Sequence, residues 1–243
     1  MTDEPAINTL TLQHRIPDDW AADPWAEVRP LIDGVDVLKD VHPDGIALSS
    51  RHWRGHAESW PLTVTEEPRR VMITEPTCTA GCCGALYVTV RREGDRVIWD
   101  AWENTSDITG VPADFRFDSA QYEAELARAA ADHSWEEPVD TVARLLEQTL
   151  TDSGWFERWG CVLTSVSPRR EEPDLPEELT STEGVDVEFH QLQGPGVYWH
   201  ELSVTRDLSV EEQVRRLADR ILENDPRKPL SGDDAPAAHP TMR

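Results

Sequence analysis

Alternation of apolar and polar side chains marks much of the first half of the chain as strands. Residues 9–12 alternate threonine and leucine, the period-two pattern of a strand with one buried face. The same period recurs in residues 86–90 and 97–102, on either side of the turn Glu93-Gly94-Asp95. Large apolar groups occupy both faces of the second of these strands, so we expect this hairpin at the centre of a sheet.

A second hairpin is predicted at Asp33-Gly34, which separates the apolar stretches 27–32 and 35–38. This dipeptide favours a two-residue turn because glycine tolerates positive φ. Residues 42–67 show no period of either kind and are rich in Pro, Gly, His and Arg. We therefore expect a loop there.

Three later segments show helical periodicity together with start signals. Asp118 and Gln121 have the spacing of a capping pair, and Pro138 suits the first turn of a second helix. Ser209 and Glu212 form the same kind of pair before a third apolar stripe. Between the second and third helices, period-two alternation returns in residues 162–166, 185–189 and 198–204.

This order of elements predicts an α+β protein whose mainly antiparallel sheet has about three helices packed on it. Short turns dominate, and strand–helix–strand units do not repeat, which disfavours a doubly wound parallel sheet. We expect one α+β domain over residues 1–224, with a boundary near residues 136–138 as the alternative. Residues 225–243 are rich in Pro, Asp and Ala without a period, which predicts a disordered tail.

The charge balance limits the classes of partner that the chain is expected to bind. The 243 residues include 47 acidic and 23 basic side chains, for a net charge of −24. Nucleic-acid affinity depends on Lys and Arg that neutralise phosphates, and no basic stripe is present, so we expect neither a nucleic acid nor an anionic membrane as partner. Opposite charge speeds encounter, so a basic protein is the partner that this charge favours.

The sequence also predicts a cytoplasmic protein. The start, Met1 to Pro5, lacks the basic and apolar regions of a secretion signal. No apolar run approaches the roughly 18 residues of a membrane helix. Four cysteines in 243 residues form no disulfide framework.

The segment from Glu171 to Asp186 contains seven acidic residues, no basic residue and two prolines. Carboxylates that repel one another and prolines that interrupt regular structure predict an exposed loop. If a cationic partner binds, this loop is expected to contact it. The expected partner-binding residues are Glu171, Glu172, Glu177 and Glu178.

A cysteine-rich turn over residues 78–84 is the strongest candidate for metal chemistry. Zinc prefers four thiolate or imidazole ligands, and the candidates are Cys78, Cys82, Cys83 and His56, with Cys161 as an alternative fourth ligand. However, three residues separate the first two cysteines and none separates the second two, whereas zinc knuckles usually have two between partners. We therefore expect buried structural thiols, no metal and no other cofactor.

Zinc deaminases combine H-x-E with P-C-x-x-C, and the chain has His56-Ala57-Glu58 followed by Pro76-Thr77-Cys78. The match is incomplete: Thr77 separates proline from cysteine, and Pro61 interrupts the helix that should carry H-x-E. The phosphate-loop, dinucleotide, serine-elbow and H-E-x-x-H motifs are absent from the sequence. We therefore assign no catalytic and no cofactor-binding residue.

Ten tryptophans far outnumber the three tyrosines and four phenylalanines. Each can bury about 150–250 Å², so filling the core is their expected role. An exposed tryptophan would instead indicate an interface, because aromatic residues are common interface anchors.

Residues 82–90 with 97–99, and residues 115–118 leading into Tyr122 and residues 133–135, resemble a segment of uncharacterised acidic proteins from GC-rich bacteria. The resemblance covers about residues 70–160 and implies no activity. Because no catalytic motif is complete and the charge suits a cationic partner, the function that we expect is non-enzymatic binding of a cationic protein, such as a toxin that the chain neutralises. The alternative is a zinc-dependent hydrolase or deaminase that uses the turn from Cys78 to Cys83.

Overall fold

A computed structural model describes residues 6–16, 26–39, 41, 46–53, 57–75, 84–106, 110–170, 182–194, 196–223 and 225–228. These residues form antiparallel sheets and four α-helices, which confirms the predicted α+β class. The chain divides into two compact units, Met1–Trp135 and Glu136–Arg243, each with its own hydrophobic core. The expectation of a single domain stays a prediction.

The N-terminal unit is built on one antiparallel sheet. Its strands are β1 (Leu10–Arg15), β2 (Glu27–Ile32), β3 (Val35–Asp36), β4 (Ile46–Ser49), β5 (Arg69–Glu75), β6 (Leu86–Glu93), β7 (Arg96–Asn104) and β8 (Phe115–Asp118). They pair in the order β1-β2-β4-β5-β6-β7-β8, with β3 beside β2. Helix α1 (Ser119–Ala131) follows β8 directly, and Asp118 caps it by accepting the N–H groups of Ala120 and Gln121.

Both predicted hairpins are present. Asp33 and Gly34 have φ values of 53° and 79°, as a two-residue hairpin turn between β2 and β3 requires. Strands β6 and β7 pair across the second turn, and Val97, Ile98 and Trp99 are buried on both faces of β7. The hairpin is interior to the sheet, between β5 and β8, rather than at its centre.

The loop predicted over residues 42–67 is wrong in part. Strand β4 lies within this stretch and joins the sheet by pairing with β2 and β5 through two residues on each side. Two short 3-10 helices, Ser50–Trp53 and Ala57–Ser59, follow it. So short a strand carries too few residues to display a period.

Helix α1 covers the outer edge of β1 with polar side chains. The Leu10 N–H donates to Gln121, and the Gln121 amide donates back to the Leu10 carbonyl, at 3.3 and 2.8 Å. The Leu12 N–H donates to Glu125 at 2.6 Å, and Arg128 donates to the Leu12 carbonyl and to Glu125. Positions 121, 125 and 128 share one helix face, so the helix satisfies strand groups that would otherwise be unpaired.

The two ends of this sheet also meet. Asn8 forms a bridge with Phe117 of β8, and its backbone N–H donates to the Arg116 carbonyl at 2.6 Å. The Arg116 N–H donates in turn to the Asn8 side chain at 3.1 Å. The sheet therefore curls until its first and last strands touch.

The C-terminal unit packs helices on a three-stranded antiparallel sheet. Its elements are α2 (Pro138–Asp152), α3 (Trp155–Arg158), β9 (Cys161–Arg169), β10 (Gly184–Gln191), β11 (Val197–Ser203) and α4 (Val210–Leu222), and its strands pair in the order β11-β10-β9. Leu146 and Leu150 of α2 and Leu217 and Ile221 of α4 are buried in one core with the inward side chains of the sheet. Because β10 begins at Gly184, the loop predicted to reach Asp186 is wrong at its end.

The first turn of α2 is tied to the end of β9. Pro138 opens the helix as predicted, and the Glu137 N–H donates to the Asp140 carboxylate at 3.0 Å. Asp140 is fully buried and pairs with Arg170, whose guanidinium also lies 3.5 Å from Glu137. Burial raises the pKa of Asp140, while the Arg170 charge acts in the opposite direction.

Replacing Glu125 with alanine tests whether the polar face of α1 stabilises the edge strand β1. We expect Glu125→Ala to lower the free energy of unfolding by about 1–3 kcal/mol, because the Leu12 N–H and Arg128 both lose a buried partner. Glu123 is the control on the same helix, since its side chain is 57% exposed and pairs with Arg92 at the surface. Urea unfolding of both variants measures this difference, and equal effects would contradict the role of Glu125.

Candidate partner-binding surface

The residues predicted to bind a partner or a metal lie outside the part of the chain that the structure describes. These are Glu171, Glu172, Glu177 and Glu178, and also Cys78, Cys82, Cys83 and His56. Their roles stay predictions. Of the acidic segment itself, the structure describes residues 182–186, and Arg170, which directly precedes the segment, pairs with Asp140.

Two kinds of feature are absent from the described residues. Within the ranges given above, no group of three or more His, Cys, Asp or Glu side chains is placed to hold a metal ion. Among the same residues, no helix combines the length and the apolar character needed to cross a membrane.

The outer face of the three-stranded sheet is the most distinctive described surface. On β11, Tyr198, His200 and Leu202 point toward the core, so strand alternation turns Val197, Trp199 and Glu201 the other way. On β10 the same rule turns Asp186, Glu188 and His190 outward. We call Asp186, Glu188, Val197, Trp199 and Glu201 the Trp199 surface.

Trp199 lies at the middle of this surface. Its side chain is 41% exposed, whereas Trp53, Trp99 and Trp155 are at most 5% exposed. Glu188 is its direct partner across the strand pair, and Glu201 is its neighbour on the same face of β11. Directly opposed residues have Cβ atoms about 4.5–5.5 Å apart. The indole is therefore bordered by carboxylates on two sides.

The charges on this face are unbalanced. Arg169 forms ion pairs with Asp186 and, at 3.6 Å, with Glu201. Glu188 has no ion-pair partner among the described residues. Burial raises the pKa of Asp186, and the Arg169 charge opposes that rise. Two of the three carboxylates thus pair with the one guanidinium, and Glu188, opposite Trp199, is the carboxylate without a described partner.

An apolar margin lies next to the indole. Val197 is 39% exposed beside Trp199 on β11, and Leu192, just after β10, is 62% exposed. Between them, His190 lies opposite Val197, and its Nδ1 is 3.1 Å from the Thr164 hydroxyl. An exposed aromatic with apolar neighbours and an acidic border has the composition of a protein interface.

Trp159 is a second exposed tryptophan, and its indole already contacts a cation. Its exposure, 38%, nearly equals that of Trp199. The Arg227 guanidinium lies over the Trp159 ring at 5.4 Å and is held there by two hydrogen bonds to Asp225. Trp159 therefore already has a cation and an adjacent carboxylate, whereas the described part of the chain places carboxylates beside Trp199 but no cation over its ring.

Sequence reasoning missed Trp199 although the signal was present. Alternation of Tyr198, His200 and Leu202 places the residue between them on the opposite face. The sequence predicts core positions for tryptophan. The packing of helices on one face of the sheet, which the sequence does not show, decides which tryptophans stay exposed.

Comparison with known proteins gave no relative: no protein-family model, no curated protein and no solved structure matches the chain. The resemblance to acidic bacterial proteins stays a prediction, and the function has to be argued from the surface itself.

His200 gives the strand that carries Trp199 a dependence on pH. It is 2% exposed, packs on Phe189 at 5.2 Å, and neither ring nitrogen has a well-aligned hydrogen-bond partner among the described residues. Burial lowers the pKa of His200 below its ordinary 6.5, more than a contact with the Pro226 backbone raises it. As the pH falls, His200 therefore takes up a proton more readily in the unfolded chain than in the folded chain.

The stability that the buried, neutral His200 side chain contributes is fully present above pH 6.5. It is lost progressively as the pH falls below that value. Between pH 7.5 and 5.5 we expect the free energy of unfolding of the wild type to fall more than that of His200→Phe. His190→Phe, on the exposed face of the neighbouring strand, is the matched control for replacing a histidine with phenylalanine. Urea unfolding at the two pH values measures these changes, and parallel behaviour of wild type and His200→Phe would exclude the role of His200.

Proposed function

We propose that the protein is a non-enzymatic binding protein for a cationic protein, and that the Trp199 surface receives an Arg or Lys side chain of that partner. Neutralisation of a basic toxin is the sharpest form of this function. The cytoplasm is the proposed location, in keeping with the low cysteine content and the free, buried thiol of Cys161.

The observation that carries the proposal is the exposed Trp199 ring opposite Glu188, a carboxylate with no described cationic partner. A cation over an indole face gains about 0.5–1 kcal/mol at an exposed site and about 2 kcal/mol when it is desolvated. A neighbouring carboxylate adds an ion pair. A partner's guanidinium would complete at Trp199 the arrangement that Arg227 and Asp225 already form at Trp159.

The net charge supports the same choice of partner. At −24, the chain attracts positively charged proteins over a distance and speeds their encounter. Charge alone gives little selectivity, so the specific contact has to come from a packed anchor such as the indole. No described observation favours the zinc hydrolase or deaminase alternative, whose residues lie outside the described part of the chain.

The test uses a fluorescein-labelled peptide of eight arginines as the probe and fluorescence anisotropy as the readout. We expect Trp199→Ala to weaken binding roughly 5- to 30-fold, because the cation–π contact is lost while the protein charge stays the same. Trp159→Ala is the matched control: the exposure is similar, but the ring already carries Arg227. It should change affinity by less than about twofold.

A second pair of variants tests the carboxylate. Glu188→Gln should weaken binding and flatten its salt dependence, whereas Glu157→Gln, an exposed acid on α3, removes the same charge at another place and should have a smaller effect. Equal effects of the two glutamine variants, together with no effect of Trp199→Ala, would mean that the peptide binds only the overall charge. That result would contradict the proposal.

A further inference from the structure

A groove between α2 and α4 forms a second acidic and apolar surface in the C-terminal unit. Its volume is about 530 Å³. Leu145, Val214, Ala218 and Leu222 provide its apolar lining. The two helices cover the inner face of the sheet, so the groove is separate from the Trp199 surface on the outer face.

Side-chain size and spacing explain why the groove is open. Leu145, Thr149 and Asp152 lie at i, i+4 and i+7, so they form one ridge along α2. Ala218 lies on the facing side of α4, and its single methyl group leaves space that a larger residue would fill. Ridges of one helix packing into the grooves between others is the common mode of helix association. The groove therefore has the form that a third helix would occupy.

The carboxylates of this groove outnumber its cations. Asp152, Glu211 and Asp219 line it, against the single base Arg215. Arg215 is held by Glu212 and lies 3.6 Å from Asp219. Asp152 and Glu211 have no ion-pair partner among the described residues. The groove is thus left with a net negative charge, which a basic occupant complements.

Asp152 stands where a carboxylate is electrostatically unfavourable. It is the last residue of α2, and the last turn of that helix contains no basic residue. The C-terminal end of a helix carries about half a negative charge from its free carbonyl groups. Asp152 adds to that potential, so it costs the free protein stability and attracts a cation.

We propose that this groove binds an amphipathic, lysine- or arginine-rich helix of a partner protein, with its apolar side chains between α2 and α4 and its cations at Asp152 and Glu211. Residues 211–222 of α4 extend over about 17 Å at 1.5 Å per residue, so the partner helix needs about three turns. The positive charge of the partner follows from the proposed function, but the site is independent of Trp199.

The probe is a fluorescein-labelled 14-residue peptide of leucine and lysine, with leucine at i, i+3, i+4 and i+7. A scrambled peptide of the same composition has the same charge but no apolar face. We expect the amphipathic peptide to bind at least about tenfold more tightly than the scrambled one. Equal affinity would overturn the inference, because charge alone would then explain the binding.

Two substitutions locate the peptide. Thr149→Trp fills the groove from an exposed position and should weaken binding at least about tenfold. Asp152→Asn should weaken it about two- to fivefold without lowering the thermal midpoint, whereas Glu157→Gln should have less effect. If both groove variants bind as tightly as the wild type, the groove is not the site.

Trp199→Ala separates this inference from the proposed function. It should change the affinity for the leucine–lysine peptide by less than about twofold, although it weakens binding of the arginine peptide, because the leucine side chains bind in the groove. If Trp199→Ala removes both and Thr149→Trp removes neither, every cation binds at the Trp199 surface and the groove inference is wrong. Sedimentation velocity gives a further outcome: a dimer that Thr149→Trp dissociates would make a second copy the occupant and would also overturn it.

Discussion

Helices α2 and α4 cover one face of the sheet β11-β10-β9, and strand alternation then forces every second side chain onto the other face. Burial of Phe189 and Leu202 against these helices fixes which residues point inward. Trp199 is consequently exposed, because its neighbours Tyr198 and His200 occupy the inward positions of the strand. The proposed contact with a cation is a consequence of that packing.

In the N-terminal unit, polar side chains of a helix cover the edge of the sheet. There the edge strand β1 is covered by Gln121, Glu125 and Arg128, and its start bridges to the last strand. An edge strand whose backbone groups are already hydrogen-bonded offers few groups for pairing with a further strand. In the C-terminal unit, the edge strand β11 instead presents an aromatic and acidic face. Glu125 thus satisfies backbone and side-chain donors at a strand edge of the first unit, whereas Glu188 in the second unit has no ion-pair partner among the described residues.

Local signals predicted the elements better than they predicted the site. Turn chemistry at Asp33-Gly34 and caps at Asp118 and Ser209 depend on a few adjacent residues, and all three are present. Gln121 departs from its predicted capping role because its amide pairs with the Leu10 backbone, a contact over 111 residues that no local pattern contains. The exposure of Trp199 is equally non-local, because it depends on which face the helices cover.

The charge supports the proposed class of partner but does not locate the contact. A balance of −24 predicts attraction of cations anywhere on the surface, so the central claim is that one indole carries the specific contact. The most direct measurement is the indole ¹H–¹⁵N spectrum of the ten tryptophans during titration with the arginine peptide, with Trp199→Phe and Trp159→Phe used for assignment. The account predicts that the Trp199 resonance shifts and saturates while the Trp159 resonance stays in place. A peptide that binds without moving the Trp199 resonance would contradict it.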